Sequence, residues 1–464
     1  MESSESFPET HNLPPALKPG YEIGEPHKPI PLYEGDLEIE HQGNLTQGSG
    51  TVYLKWFPYP QIQFESSGHQ LLGANVEKAS LKVPETDGLV EALIAVKQGF
   101  NQTTGETKEV LGNVREPIVK GSGQDLTYIK FHLTNFENFN GSSRAVIEDE
   151  SGERIRDSGI FEAEGWKVTV DPYKTSEQIN SQTSSIKILK SQGGYAVTHV
   201  GKLERLDGKT FTANEPCTRS FLEALSYFLS FVRGLRIEPL LLIGYDASNQ
   251  RIWEEWALSN SDPWRKDLFT WAWGLRAEDI ASAFRGFLSW WHSWGESAKI
   301  VIHWYIASNA QAGAVEGSIV FEQAAFELLS RIFLVENKRI LSLEGFDKLP
   351  AADRLKLLLS HCRIPLEVPS SLTNLTSFSE KENYDDGAQI LTEIRNFIAH
   401  SGKKTKRDRF LRQPKRELVR FEAYTLGLCY LELILLSLFD YQGHYYNRLR
   451  PGNIGDLEPV PWLS

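Results

Sequence analysis

Residues 394–400 read Ile-Arg-Asn-Phe-Ile-Ala-His, and this stretch decides how the C-terminal part of the chain is interpreted. Arginine is a permanent cation whose planar fork can contact two oxygens of one phosphate. Histidine accepts and donates protons near neutral pH. A basic segment, Lys-Lys-Thr-Lys-Arg-Asp-Arg at 403–409, follows directly after Gly402. These residue types suit cleavage of RNA beside its 2′-hydroxyl without a metal ion.

The stretch is predicted to lie at the end of an amphipathic helix over 387–400. Asp386 is a suitable N-cap, with Gln389 three residues later as in a capping box. One apolar stripe follows at helical spacing: Ile390, Leu391, Ile394, Phe397 and Ile398. Arg395 lies about 100° to one side of this stripe and His400 about 120° to the other. The pair can meet at one phosphate only if the helix ends near Ala399 or a second copy supplies the partner.

Arg395, Asn396 and His400 match the R-N-x3-H motif, and the C-terminal region thereby resembles the HEPN superfamily. The layout, a long non-helical part before a helical module, is similar to the ApeA-like HEPN group. The resemblance covers about the last 150 residues and implies a helical bundle. It also implies a metal-independent endoribonuclease of toxin or antiviral defence that leaves a 2′,3′-cyclic phosphate and needs no cofactor. His400 would be the general base or acid, Arg395 would stabilise phosphoryl charge, and Asn396 would orient the pair or hold the phosphate.

Neighbouring residues leave alternatives open. Glu393 shares the helix face of Asn396 and His400, where it could orient His400 or pair with Arg395 or a lysine, and the pairing is favoured. In the structural alternative, Arg395 is a surface ion-pair residue and His400 is a plain helix cap. Glu322 and Glu327 on the predicted helix over 317–336 could be functional, but the residues around them have the pattern of an ordinary amphipathic helix.

The charge of the chain is uneven. The 464 residues carry a net charge of −12, so the surface as a whole does not suit nucleic acid. Residues 387–420 hold ten Lys/Arg and three Asp/Glu, a net of +7, which leaves −19 for the rest. This local reversal predicts an RNA-binding footprint, with a solvated loop as the alternative. The RNA-binding candidates are Lys403, Lys404, Lys406, Arg407 and Arg409.

Cysteine usage and apolar runs predict a cytoplasmic protein. The three cysteines form no CxxC pair, which predicts reduced thiols and no metal site. The first 20 residues contain no apolar core of a signal peptide. The most apolar run, 423–439, is short for a membrane span and is interrupted by Glu432, so we expect a buried core helix.

The predicted fold class is α+β, with a β-rich N-terminal domain (sandwich or barrel), a mixed middle region and a C-terminal HEPN-like helical bundle. The predicted segments are a disordered lead-in (1–35), a β-rich recognition domain (36–212), a Trp-rich connecting region (213–276), a HEPN-like domain (277–450) and a tail (451–464). Turn signals such as Gly48-Ser49-Gly50 separate the expected strands.

Periodicity locates individual elements. Helices are predicted over 277–294, 296–309, 317–336, 351–361, 387–400 and 415–440, with a loop over 362–386. Residues 240–245 and 251–258 suggest a hairpin or a strand followed by a helix. Nine of the twelve tryptophans lie between 253 and 304, where packing is favoured over base stacking.

The expected partners are RNA, a second copy of the chain bound through the C-terminal bundle, and a protein trigger at the N-terminal domain. Two other functions stay open. One is a non-catalytic HEPN-like protein that docks a partner or nucleotide, and the other is a sensor in which the bundle only transmits a signal.

Overall fold

The computed structural model describes residues 13–69, 77–86, 88–100, 107–137, 140–141, 143–149, 152–173, 185–266, 268–311, 314–399, 408, 410, 412, 415–450 and 457–463. They form a mixed α+β protein, which confirms the predicted fold class at this level. The chain separates into two units. The β-rich unit runs to residue 226 and includes 237–266, and the helical unit consists of 227–236 and the residues from 267 onward. The predicted region 213–276 is therefore divided between both units.

Six antiparallel strands close a barrel in the β-rich unit, in the order β1-β2-β3-β6-β5-β4. They are β1 Ile30–His41, β2 Asn44–Lys55, β3 Gln61–Ser67, β4 Glu77–Lys82, β5 Val90–Phe100 and β6 Thr107–Val114. Alternate apolar residues such as Leu37 and Ile39 are buried, as expected for strands with one face in the core. Gln42 and Gly43 join β1 to β2 with φ of 51° and 79°, the conformation of a two-residue type I′ hairpin.

Two features near the N-terminus differ from the sequence prediction. Strand β1 begins at Ile30, so residues 30–35 of the predicted lead-in belong to the barrel. The turn predicted at Gly48-Ser49-Gly50 is wrong, because these residues lie inside β2. A Cβ at Gly48 would lie 2.2 Å from the backbone oxygen of Ser67 on β3. The glycine permits close approach of the neighbouring strand and not a reversal of the chain.

A second, seven-stranded antiparallel sheet completes the β-rich unit, in the order β11-β12-β13-β8-β14-β15-β7. Its strands are β7 Ile118–Gly121, β8 Tyr128–Thr134, β11 Gly159–Ala163, β12 Trp166–Pro172, β13 Val197–Arg205, β14 Leu240–Tyr245 and β15 Arg251–Trp256. Strands β9 Arg144–Asp149 and β10 Gly152–Asp157 form a separate hairpin. Helix α1 Ser185–Gln192 belongs to this unit, whereas α2 Pro216–Arg233 begins in it and ends in the helical unit. Strand β14 pairs with β15 in antiparallel fashion, so this stretch forms the hairpin and not the strand followed by a helix.

The helical unit is dominated by long helices close to the predicted ranges. They are α3 Ala277–Trp294, α4 Glu296–Asn309, α5 Ala314–Arg331, α6 Leu343–Lys348, α7 Ala351–His361, α8 Thr373–Glu382, α9 Gly387–Ala399 and α10 Arg416–Leu438. A π-helical turn, Ile332–Asn337, continues α5, and the short strands β16 His444–Tyr446 and β17 Leu457–Pro459 pair near the C-terminus. The predicted loop over 362–386 is wrong in part, since it contains α8.

Tryptophan rings and α10 form much of the core of the helical unit. Trp271, Trp290 and Trp294 are buried, and Trp290 packs edge-on against Phe439. This agrees with packing as their main role. Among the described residues, α10 is the one helix long and apolar enough to cross a membrane, and 72% of its apolar window is buried inside the protein. This burial agrees with the buried core helix that was expected for the apolar run 423–439.

Candidate functional site

Helix α9 carries the motif residues, and its start is fixed as predicted. The backbone N–H of Gln389 donates to Asp386 Oδ1 at 2.9 Å, and Gln389 Oε1 accepts from the backbone N–H of Asp385 at 2.8 Å. These bonds satisfy donors that a helix start leaves unpaired. The buried stripe consists of Ile390, Leu391, Ile394 and Phe397. Because this stripe faces the core, the flank with Arg395 lies beside α5.

The guanidinium of Arg395 bonds to a side chain on α5 and to its sequence neighbour. Nη2 donates to Glu327 Oε1 on α5 at 3.1 Å, and Nη1 donates to Asn396 Oδ1 at 3.2 Å. The side chain of Arg395 is 22% exposed and that of Glu327 is 39% exposed. The pair therefore lies at the surface, where a phosphate in solution can reach it. A hydrogen bond thus joins the side chains of the adjacent residues Arg395 and Asn396, and their catalytic roles stay predictions.

Glu327, for which the sequence pattern favoured an ordinary place on an amphipathic helix, contacts Arg395 in the structure. Its partner Arg395 lies 68 positions away, so no helical spacing connects them. Gln323, one turn earlier on α5, donates to Glu327 Oε1 at 3.5 Å. An amphipathic helix places many carboxylates on its solvent side. Only the packing of α5 against α9 shows which of them meets Arg395.

The remaining predicted site residues lie partly outside the described part of the chain. Glu393 is half-buried on α9. Arg395 forms an ion pair with Glu327, and the pairing of Glu393 with Arg395 or a lysine stays a prediction. His400 lies outside the described residues, and so do Lys403, Lys404, Lys406, Arg407 and Arg409. Their catalytic and RNA-binding roles stay predictions.

A second arginine–glutamate pair lies in the core of the same unit. Arg448 Nε and Nη2 donate to Glu432 Oε2 and Oε1 at 2.9 and 2.5 Å. Glu432 Oε1 also accepts from the Tyr305 hydroxyl at 2.7 Å and the Trp271 backbone N–H at 3.1 Å. Burial opposes the charge on Arg448, but Glu432 raises the pKa of its guanidinium above the ordinary value. Every one of these charges has a partner, as a buried ion pair requires.

Glu322 on α5 is a buried carboxyl with no arginine bonded to it among the described residues. The Ser308 hydroxyl donates to its Oε1 at 2.8 Å. Burial raises the pKa of Glu322 well above 4.5, which favours the neutral acid. Gly427 on α10 makes room for this side chain, since a Cβ there would lie 2.0 Å from Glu322 Oε2. This carboxyl therefore fixes the spacing of α5 and α10 and is remote from solvent.

Buried histidines of the β-rich unit have structural partners. The backbone N–H of Gly20 donates to His132 Nε2 at 3.1 Å, and His132 Nδ1 donates to the Leu241 carbonyl at 3.2 Å. Burial lowers the pKa of His132 to about 4 and that of His199 to about 3, so both rings are neutral at pH 7. Within the described ranges, no three His, Cys, Asp or Glu residues are grouped so that they could hold a metal ion.

Comparison with known proteins finds similarity to two family models, over the central and the C-terminal part of the chain. Residues 292–458 match the model of the YopA C-terminal domain. Residues 121–267 match that of the YopA central domain. Arg395, Glu327 and Arg448 all fall in the first of these ranges, whereas the barrel precedes both. The matching models are those of YopA domains, so the HEPN resemblance stays an expectation.

A full-length relative extends the likeness over the barrel. The SPbeta prophage-derived uncharacterized protein YopA of Bacillus subtilis strain 168 is 27% identical over 458 residues. The alignment covers 96% of this chain and 97% of the relative. No solved structure matches the chain.

Proposed function

We propose that the helical unit is a metal-independent endoribonuclease with its site at Arg395, Asn396 and His400. The observation that carries this proposal is the partly exposed guanidinium of Arg395, which is bonded to Glu327 and Asn396 at 3.1 and 3.2 Å. A cation held in one orientation at the surface is suited to the charge that develops on a phosphate in the transition state. The basic residues 403–409 directly after the motif add attraction for RNA.

The reaction divides between the motif residues as follows. The 2′-oxygen of a ribose forms a bond to the adjacent phosphorus, and the bond from phosphorus to the 5′-oxygen breaks. One basic group takes the proton of the 2′-hydroxyl, and one acid gives a proton to the departing 5′-oxygen. His400 fills one of these roles, and Arg395 stabilises the phosphoryl oxygens. Glu327 is a positioning residue, because it contacts Arg395 and not the reacting atoms.

A second copy of the chain would complete the site. Arg395 and His400 are five residues apart, which separates them by about 140° on a continuing helix. In a two-fold symmetric dimer through the helical unit, the motif segments of both copies face each other, and each site takes Arg395 from one copy and His400 from the other. We expect that mixing Arg395→Lys and His400→Ala chains, each impaired on its own, restores one active site per mixed dimer.

The β-rich unit is assigned to recognition of a protein trigger in the cytoplasm. Phe57 and Tyr59, between β2 and β3, are 46% and 49% exposed. Exposed aromatic side chains are enriched at protein interfaces. We expect replacement of both by serine to abolish activation by the trigger in cells while leaving the unstimulated cleavage rate unchanged.

The main test is an RNA cleavage assay in the presence of EDTA. Wild type should produce fragments that end in 2′,3′-cyclic phosphate, and His400→Ala should lower the rate by about 10²–10⁴-fold, the usual contribution of general acid–base catalysis. His444→Ala, an exposed histidine of the same unit, is the matched control and should cleave like wild type. Equal cleavage by His400→Ala and wild type would place the activity elsewhere.

A binding protein without catalysis is the second candidate, and one observation favours it. Arg395 already has a carboxylate partner, as a purely structural surface arginine would. This candidate expects no RNA cleavage by wild type with any trigger. It also expects that Arg395 variants lose a bound partner and no enzymatic rate.

A further inference from the structure

Two lysines face each other on the seven-stranded sheet of the β-rich unit. Lys130 on β8 lies directly opposite Lys202 on β13 in the antiparallel register. Side chains alternate along β8, so Ile129 and Phe131 are buried in the core, whereas Lys130 lies on the other face and is half-buried. Like charges directly opposite each other on neighbouring strands destabilise a sheet. The position of Lys130 is therefore electrostatically unfavourable for its ammonium form.

The contacts of Lys130 are aromatic and not ionic. Its Nζ lies 5.1 Å from the centroid of the Tyr245 ring, and the Tyr245 ring stacks on Tyr128 with centroids 4.7 Å apart. Lys202 Nζ lies 4.8 Å from the centroid of the Tyr128 ring. Among the described residues, no carboxylate forms an ion pair with Lys130 and no acceptor bonds its Nζ.

The carboxylates on this side of the sheet are bonded to other groups. Glu204 accepts from Lys202 Nζ at 2.5 Å, and Glu254 forms an ion pair with Arg251. Asp246 accepts two backbone N–H groups of the turn after β14, each at 2.8 Å. These carboxylates compensate the neighbouring cations and the turn, and they leave Lys130 without a counter-charge of its own.

The surroundings of Lys130 favour its neutral amine. Burial lowers the pKa of the Lys130 ammonium below 10.5, and the cations Arg251 and Lys202 lower it further. A lysine that is partly desolvated beside other cations is a stronger nucleophile near neutral pH, because more of it is present as the free amine. Since the side chain is half-buried and not enclosed, a small solute can reach it.

We propose that Lys130 is a covalent binding site for small aldehydes that carry a carboxylate or a phosphate. The amine nitrogen of Lys130 forms a bond to the aldehyde carbon, and the resulting carbinolamine loses water to leave a C=N bond. The aldehyde oxygen and the two amine hydrogens depart in that water, so no oxidant or reductant is required. An anionic group on the aldehyde is favoured because Lys202 and Arg251 are nearby cations. The proposal does not depend on RNA cleavage.

Reductive trapping on the full chain tests the site. The protein is treated with glyoxylate or glyceraldehyde 3-phosphate, the C=N bond is reduced with cyanoborohydride, and labelled lysines are located by peptide mass spectrometry. Acetaldehyde and glyceraldehyde are the neutral counterparts. Lys209, an exposed lysine paired with Asp207, is the internal reference.

The measured quantity is the ratio of the labelling rates of Lys130 and Lys209. With at least one anionic aldehyde, we expect this ratio to be at least about threefold. It should also be larger than with the neutral counterpart of that aldehyde. A ratio below threefold with both anionic aldehydes, or equal ratios for charged and neutral aldehydes, would overturn the proposal.

Two variants of Lys202 and an unfolded control separate the electrostatic cause from simple exposure. Lys202→Met removes the neighbouring cation and should lower the ratio toward one, whereas Lys202→Arg keeps the charge and should be labelled like wild type. In concentrated urea the wild-type ratio should also fall to one, because the effect arises from the fold. The same ratio in both Lys202 variants, or a ratio that persists in urea, would remove the basis for the site.

Discussion

The helical unit contains two arginine–glutamate pairs in opposite surroundings. In the core, the side chains of Arg448 and Glu432 are 9% and 2% exposed, and they bind further partners in the loop before α3 and on α4. At the surface, Arg395 and Glu327 are 22% and 39% exposed and share one bond of 3.1 Å. A buried pair must satisfy every charge, because breaking it leaves an ion without water. A surface pair can exchange its partner for a phosphate at little cost.

The largest expected effect is the loss of the core pair. Arg448→Met leaves Glu432 as an unpaired buried carboxylate and should lower the free energy of unfolding by about 3–5 kcal/mol. The same change at the surface, Arg395→Met, should cost less than about 1 kcal/mol. Urea denaturation followed by tryptophan fluorescence measures both. Similar losses at the two positions would remove the distinction between a structural and an exchangeable pair.

RNA cleavage should depend more on the surface pair than on the core pair. Arg395→Lys keeps the charge but loses the planar fork, and it should lower RNA cleavage by about 10²-fold, as loss of a transition-state donor does. Its unfolding midpoint should stay close to that of wild type. Arg331→Lys, an exposed arginine at the end of α5, is the matched control. An Arg395→Lys chain with the wild-type rate would leave Arg395 only a structural role.

The pH dependence of stability should distinguish the buried Glu322 from the two arginine–glutamate pairs. Its folded pKa is raised by burial, whereas the unfolded chain has the ordinary value. Between these two values the folded state holds a proton that the unfolded state has released, so wild type loses stability as pH rises above about 4.5. Glu322→Gln cannot ionise and should gain stability relative to wild type between about pH 5 and 8. A pH-independent difference would show that Glu322 is charged in the fold.

The smallest effect is expected in the basic segment. Replacing Lys403, Lys404, Lys406, Arg407 and Arg409 by glutamine should weaken RNA binding and flatten its salt dependence, by about 0.7 in slope for each phosphate that is no longer neutralised. Binding should be compared over a salt series by fluorescence anisotropy. Glutamine at the exposed Lys348 and Lys381 is the control. An unchanged slope would make the segment a solvated loop.

Local patterns predicted the long helices well. The N-cap Asp386, its partner Gln389 and the apolar stripe led to α9 because all three signals lie within four turns. Helix α8 was missed because its segment is rich in Ser and Asn, and α8 is held by distant residues. The Glu422 carboxylate, for example, accepts the backbone N–H of Leu375 at 2.7 Å. Such tertiary support leaves no signal at the helix itself.

Long-range arrangements could not be predicted from patterns. The seven-stranded sheet places β14 beside β8, more than 100 residues earlier in the chain, and so joins two segments assigned to different domains. In the sequence, the glycines of β2 have the pattern of a turn. Their role, close approach of the two strands, becomes visible only when β3 is paired with β2. For the candidate site, the motif predicts Arg395, Asn396 and His400. Glu327 required knowledge of which helix packs against α9.

The core position of Arg448 has a practical meaning for shortened versions of the protein. A chain that stopped after α10 would retain Glu432 but lose its cation, together with the fully buried Val460 and the Trp462 indole that donates to the Tyr441 carbonyl at 2.8 Å. The segment after α10 thus stabilises the core of the helical unit and is not a dispensable tail. Proteolysis within the segment after α10 should release a fragment that aggregates. An affinity tag placed after residue 464 leaves the contacts of this segment intact.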